Sequence, residues 1–193
     1  MGKVIVVQFV TLDGVVEDPD GSGGTAFGGW AFRFGPEAVA GDKFRLGPIL
    51  GSGVLLFGRR TWEHFSRLWP TRSDPFSTAM NQARKAVVTH GTPDLSAWSR
   101  STVLAGDLTD GVARLARERD VVVIGSTSVV RRLAAIEAVD EYRLLTFPTV
   151  AGAGARLFTV PVDLRLVSVD AVGPATLATY ALCQRSADAG APL

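Results

Sequence analysis

The sequence predicts an α/β fold: a central mixed, mostly parallel sheet with a C-terminal antiparallel hairpin. Two patterns carry this. Short apolar runs at 4–10, 54–57 and 121–124 alternate with stretches of helical period, as in a sheet covered on both faces. Residues 164–172 and 176–185 then read as two strands joined across Gly173-Pro174, which places an antiparallel pair at one sheet edge.

Taken in order, the first run ends at Thr11-Leu12-Asp13-Gly14, a turn signal. Residues 18–36, DPDGSGGTAFGGWAFRFGP, combine many glycines with Phe27, Trp30, Phe32 and Phe34, so a mobile lid over an apolar ligand is expected, with Trp30 as its contact or its anchor. Pro36 is placed to open a helix running through Phe44 and Leu46 toward Leu50. The strand at 54–57 leads into a helix over 59–68, and 70–77 reads as loop. Short strands follow at 86–89 and 102–104, then a helix over 111–120 with Val112, Leu115 and Ala116 on one side. After the strand at 121–124 come a helix at 128–136, a strand at 140–147 and a loop from Pro148 to Gly154.

Composition narrows the function. A chain of 193 residues, 47% of them hydrophobic, suits one domain over 1–193 with its core at about 3–185. Twenty basic against nineteen acidic residues leave a net charge of +1, which gives no pull toward nucleic acid or a membrane surface. The lone Cys183, read as part of a strand, excludes an internal disulfide, and with only His64 and His90 no metal centre is expected. Residues 3–10 are too short for a signal peptide core, and no apolar run reaches membrane-spanning length, so a cytoplasmic protein is expected.

The chemistry sits where strands end. Gly58-Arg59-Arg60-Thr61, Thr89-His90 and Gly125-Ser126-Thr127-Ser128 each follow a strand, and ligands of open α/β sheets bind at strand carboxyl ends. Glycine permits close backbone approach, while hydroxyls and helix N–H groups donate to an anion. The plain alternatives are surface arginines and ordinary serine N-caps. Two such turns on neighbouring strands fit the phosphates of a dinucleotide. Arg59, Thr61 and His90 suit an additional 2′-phosphate, favouring NADPH over NADH.

LLFGRRTWE, VVVIGSTSVVRRL and VDEYRLLTFPTVAGAGARLF, after an opening strand ending in LDG, resemble the dihydrofolate reductase-like superfamily. The resemblance runs from about residue 3 to 185 and is nearest to the RibD C-terminal reductase domain of riboflavin biosynthesis. It implies a three-layer α/β/α fold, NADPH as cofactor, and a pterin-like or ribosylamino-pyrimidine substrate. It also implies a homodimer. By position, Gly58, Arg59 and Thr61 would lie at the cofactor phosphates and Gly125 to Ser128 at the pyrophosphate. The family's paired glycines are here Gly125 and Ser126, and a cis peptide between them is expected by analogy. A true dihydrofolate reductase and a non-catalytic nucleotide-binding protein are the alternatives. Reduction also needs a proton donor. Asp42, at the position of the dihydrofolate reductase carboxylate, is the first candidate and Asp13 the second.

Overall fold

Val4 to Thr11 carry apolar side chains on both sides because the strand they form lies in the middle of a sheet. In the computed structural model, which describes residues 1–183, this strand β1 (Val4–Thr11) is flanked by parallel neighbours on both sides. The other strands are β2 (Val54–Gly58), β3 (Arg84–Val88), β4 (Ser101–Val103), β5 (Val121–Ile124), β6 (Glu141–Phe147), β7 (Leu164–Val172) and β8 (Ala175–Leu182). They form one eight-stranded sheet in the order β4-β3-β2-β5-β1-β6-β8-β7. From β4 to β6 the pairs are parallel, while β8 runs antiparallel to both β6 and β7. The mixed, mostly parallel sheet with a C-terminal hairpin is therefore present. The part of the expected last strand at 184–185 lies outside the described residues. Cys183 falls just past β8 and is exposed, so it is not a core residue.

The helices are α1 (Ile49–Ser52), α2 (Arg59–Leu68), α3 (Pro75–Gln82), α4 (Leu108–Glu118) and α5 (Thr127–Ala135). Strand residues alternate between two apolar layers. Val4, Val6, Leu56, Val121 and Val123 pack with Leu108 and Val112 of α4 and Val129 and Leu133 of α5. Ile5, Val7, Leu55, Phe57 and Val122 face Trp62 of α2 and Met80 of α3. This is the three-layer arrangement. It sets α2 and α5 on opposite faces, although each follows one of the adjacent strands β2 and β5.

Two elements differ from expectation. The helix expected from Pro36 toward Leu50 is not formed; Pro36 opens only a 3-10 turn over Pro36–Ala38, and helix returns at α1. The cause is local. Asp42 accepts from the backbone N–H groups of Leu46 and Gly47, both at 2.7 Å, and Arg45 and Gly47 have φ of 54° and 43°. A short acidic side chain that bonds nearby backbone competes with helix in this way. Conversely, the expected loop at 70–77 contains the start of α3. Asp74 caps it by accepting from Phe76 and Ser77 N–H, and Pro75 fills the first helical position.

Lys85 is an unexpected core residue. It is buried at the start of β3, where its Nζ donates to the carbonyls of Asn81, Ala83 and Ser99 at 2.8–3.0 Å and lies 4.4 Å above the Trp98 ring centroid. Burial, with the nearby Arg100 charge second, pushes its pKa down to about 8.

Candidate functional site

Because β2 and β5 are adjacent and both run parallel to β3, the chain leaves the sheet three times along one edge. A cleft of about 640 Å³ lies there. Its walls are Gly58, Arg59, Arg60 and Thr61 after β2, Val88 to Gly91 after β3, and Ser126, Ser128 and Val129 after β5. Eight of the ten residues expected to hold a cofactor line it: Gly58, Arg59, Arg60, Thr61, Thr89, His90, Ser126 and Ser128. Gly125 and Thr127 build the turn behind this wall. Val88, Gly91 and Val129 were not expected, and only their adjacency to the motifs could have indicated them.

The wall residues are held by backbone. Gly58 N–H donates to Ser126 Oγ at 2.9 Å, which joins the two strand-to-helix turns directly. The Thr61 methyl sits close to Gly125: a Cβ there would come within 3.2 Å of it. Gln8, a buried amide in the otherwise apolar β1, donates to the Gly125 carbonyl at 3.0 Å and fixes that turn from beneath. A lone polar residue inside VIVVQFV was the available signal for it.

The expected cis peptide at Gly125–Ser126 is absent, since the described residues contain no cis bond. The turn is made instead by two successive left-handed residues, Gly125 at φ 63° and Ser126 at φ 52° and ψ 54°. Serine at such angles is uncommon and is held by its surroundings.

Electrostatics favour an anion. The titratable side chains of the wall, Arg59, Arg60 and His90, are all basic. Helices α2 and α5 begin at Gly58 and Ser126 with no side-chain cap and no acidic residue in the first turn. By contrast, α3 and α4 are closed by Asp74 and Asp107. The free N–H groups of an uncapped first turn carry positive potential. Arg59 is loosely tied to Glu63 at 3.6 Å, and both side chains remain open to solvent.

The other candidates lie elsewhere. Asp42 is exposed and holds its own turn, as described above, and does not line the cleft. Trp30, read as a contact or anchor of a lid, is an anchor. It is 1% exposed, packs edge-on against Phe147 and donates from Nε1 to the Glu17 carbonyl at 2.8 Å. The surrounding loop is also fastened, since Asp18 accepts from Gly23 N–H and from the N–H and hydroxyl of Thr25. Trp30 is thus placed as an anchor and not as a ligand contact, and the loop's glycines serve tight turns around a buried indole.

Asp13 clamps the segment after β6 to the end of β1. It accepts from Thr11 Oγ1 at 2.5 Å and from the N–H groups of Ala151 and Gly152 at 3.1 and 2.9 Å. The Thr11 hydroxyl first, then these amides, lower its pKa from 3.8 to about 2. Such a group is ionised at neutral pH and has no proton to give. Its lowered folded-state pKa stabilises the protein above about pH 4, and that contribution is lost as pH falls from about 4 to about 2. Asp13→Asn is therefore expected to flatten the acid limb of a stability–pH curve over that window while lowering stability at pH 7. An unchanged limb in acid-titrated urea unfolding would remove the clamp.

The sequence model of the RibD C-terminal domain matches residues 2–178. The chain belongs to the RibD C-terminal domain family. Solved structures similar to this RibD C-terminal domain include a protein of Shewanella sp. PV-4 assigned to riboflavin biosynthesis, with 19% identity, a TM-score of 0.68 and coverage of 94% of this chain and 99% of that one. A diaminohydroxyphosphoribosylaminopyrimidine deaminase/5-amino-6-(5-phosphoribosylamino)uracil reductase of Thermotoga maritima has 16% identity and a TM-score of 0.61, covering 94% of this chain but 57% of that one. A pyrimidine reductase-like protein of Corynebacterium diphtheriae has 10% identity and a TM-score of 0.56, over 95% and 92%. At these identities the likeness is one of fold. The present RibD C-terminal domain spans just over half of the Thermotoga protein. A search of curated proteins finds no match. Among the described residues no helix is long and apolar enough to cross a membrane.

Proposed function

We propose that the protein is an NADPH-dependent reductase of a small pyrimidine-like heterocycle, of the ribosylamino-pyrimidine kind used in riboflavin biosynthesis. The observation that carries this is the cleft with two uncapped helix N-termini and only basic titratable groups in its walls. That donor set fits a dinucleotide. Helix N–H groups of α2 and α5 would take the pyrophosphate, and Arg59, Arg60, Thr61 and His90 an additional phosphate. Bound, the cofactor supplies a hydride, and the chain supplies orientation and charge. Membership of the RibD C-terminal domain family and the reductase activity of the similar Thermotoga protein support the substrate class.

A second reading, a nucleotide-binding protein without turnover, draws on two observations. Ser126 Oγ already occupies the Gly58 N–H, and neither Asp13 nor Asp42 lines the cleft. One experiment separates the readings. Thermal unfolding is followed with NADPH and with NADH at equal concentration, and then absorbance at the nicotinamide band with ribosylamino-pyrimidines and pterins. A larger rise in Tm with NADPH, followed by oxidation that depends on the heterocycle, is expected. Equal shifts from both cofactors would defeat the phosphate assignment. Binding of NADPH without oxidation on any heterocycle would select the second reading.

A further inference from the structure

Gln8 interrupts the apolar run from Val4 to Val10 and is only 6% exposed. Burying an amide costs free energy unless its groups are hydrogen-bonded, so its presence there calls for a role. Its place is specific. Val7 lies opposite Ile124, the last residue of β5, so Gln8 comes level with Gly125, where the chain leaves the sheet. There Gln8 Nε2 donates to the Gly125 carbonyl at 3.0 Å.

That bond orients a whole peptide group. The Gly125–Ser126 bond is trans, and in a planar trans peptide the C=O and the N–H point in opposite directions. With the carbonyl turned to Gln8, the Ser126 N–H is turned away from it. Ser126 lines the cleft, and its N–H has no acceptor among the described residues. The N–H groups of Thr127 and Ser128, in the first turn of α5, have none either. Successive free N–H groups around left-handed residues such as Gly125 and Ser126 make a concavity that holds anions.

We propose that Gln8 is a positioning residue for the cofactor: by holding the Gly125 carbonyl, it keeps the Ser126 N–H aimed at the pyrophosphate. This rests on the dinucleotide reading of the cleft. Gln8 is not among the cleft walls and acts only through the turn. The restraint is needed because glycine at 125 accepts several orientations of the peptide that follows it. Rotated by half a turn, that peptide would present its carbonyl oxygen to the anion and withdraw the donor. Gln8 thus does for a trans peptide what a cis bond was expected to do, which is to set the end of the amide that faces the phosphates.

Calorimetric titration of the full chain with NADPH, NADH and inorganic pyrophosphate tests this. Gln8→Met keeps the length of the side chain and removes the donor. It is expected to weaken all three ligands by a common factor, about tenfold for one lost contact to a charged group, whereas Arg59→Ala spares NADH. Gln8→Glu adds a readout that lost packing would not give. A protonated carboxyl donates to Gly125 as the amide does, and an ionised one cannot. Buried carboxyls titrate above their usual range, so affinity relative to wild type is expected to fall from about pH 5 to about pH 8. Circular dichroism checks each fold, and one measurement needs no variant: pyrophosphate is expected to slow hydrogen exchange of the wild-type Ser126 amide. Unchanged affinities in Gln8→Met, a flat ratio for Gln8→Glu, or a Ser126 amide left unprotected would each overturn the proposal while the dinucleotide reading stands. Pyrophosphate held in a Gln8-dependent way, with neither dinucleotide bound, would defeat that reading alone. A wild type that binds none of the three would defeat both.

Discussion

Trp30→Ala is expected to lower the unfolding free energy by about 3–5 kcal/mol, the range for deleting a large aromatic from a packed core. The side chain is buried in an apolar layer with Leu145, Phe147 and Leu177, and its ring centroid stands 5.7 Å from that of Phe147. Its removal also leaves the Glu17 carbonyl without the indole N–H. Trp30→Phe keeps most of the ring and loses the hydrogen bond, so about 1–2 kcal/mol is expected for that variant. Urea unfolding followed by circular dichroism reads both. A loss below about 1 kcal/mol for Trp30→Ala would show that the indole is not the anchor of the 18–36 loop, and the lid would return.

Arg59→Ala is expected to weaken NADPH binding by about 1.5–3 kcal/mol and to leave NADH binding almost unchanged, as for loss of one charge-assisted contact. Stability of the free protein should hardly move. The Arg59–Glu63 pair is 3.6 Å long and solvent-exposed, and such i,i+4 pairs are worth about 0.3–0.5 kcal/mol. The two effects are thus separable in one set of thermal shifts, with and without each cofactor. Arg60 lines the same cleft without an ion pair among the described residues, so Arg60→Ala provides the comparison. If NADPH preference survives Arg59→Ala and disappears in Arg60→Ala, the phosphate belongs to Arg60 and the assignment within GRRT is reversed.

How legible the molecule was depended on the range of the interactions. LLFGRRTWE and VVVIGSTS displayed strand, turn and helix start together, so the cleft could be assembled from sequence once β2 and β5 were taken as neighbours. The hairpin was visible through Gly173, which takes φ 57° between Val172 and Ala175. What failed was decided elsewhere. Nothing in DPDGSGGTAFGGW shows that Phe147, more than a hundred residues on, awaits its tryptophan. Asp42 reads as a helix carboxylate until one sees its oxygens turned to Leu46 and Gly47. Lys85 precedes the strand expected at 86–89, and only the converging carbonyls of Asn81, Ala83 and Ser99 explain its burial. Asp74-Pro75, by contrast, is an N-cap signal legible in the sequence, set among residues that otherwise read as loop.

The placement of β1 has a kinetic consequence. It is the first strand of this sheet in chain order, yet its two neighbours are β5 and β6, with Val4 opposite Val121 and Val6 opposite Tyr142. The strands β2, β3 and β4 pair with one another in the order they emerge, but they reach β1 only through β5. A ribosome therefore exposes VIVVQFVT, one of the most apolar stretches of the chain, for the time needed to add more than a hundred further residues. Closing so long a loop precedes any reward from pairing, which slows folding and leaves a sticky strand open to other chains. Strand β1 stays open on both sides until β5 and β6 emerge, and insertion of β5 beside it is the event that joins the two halves of the sheet.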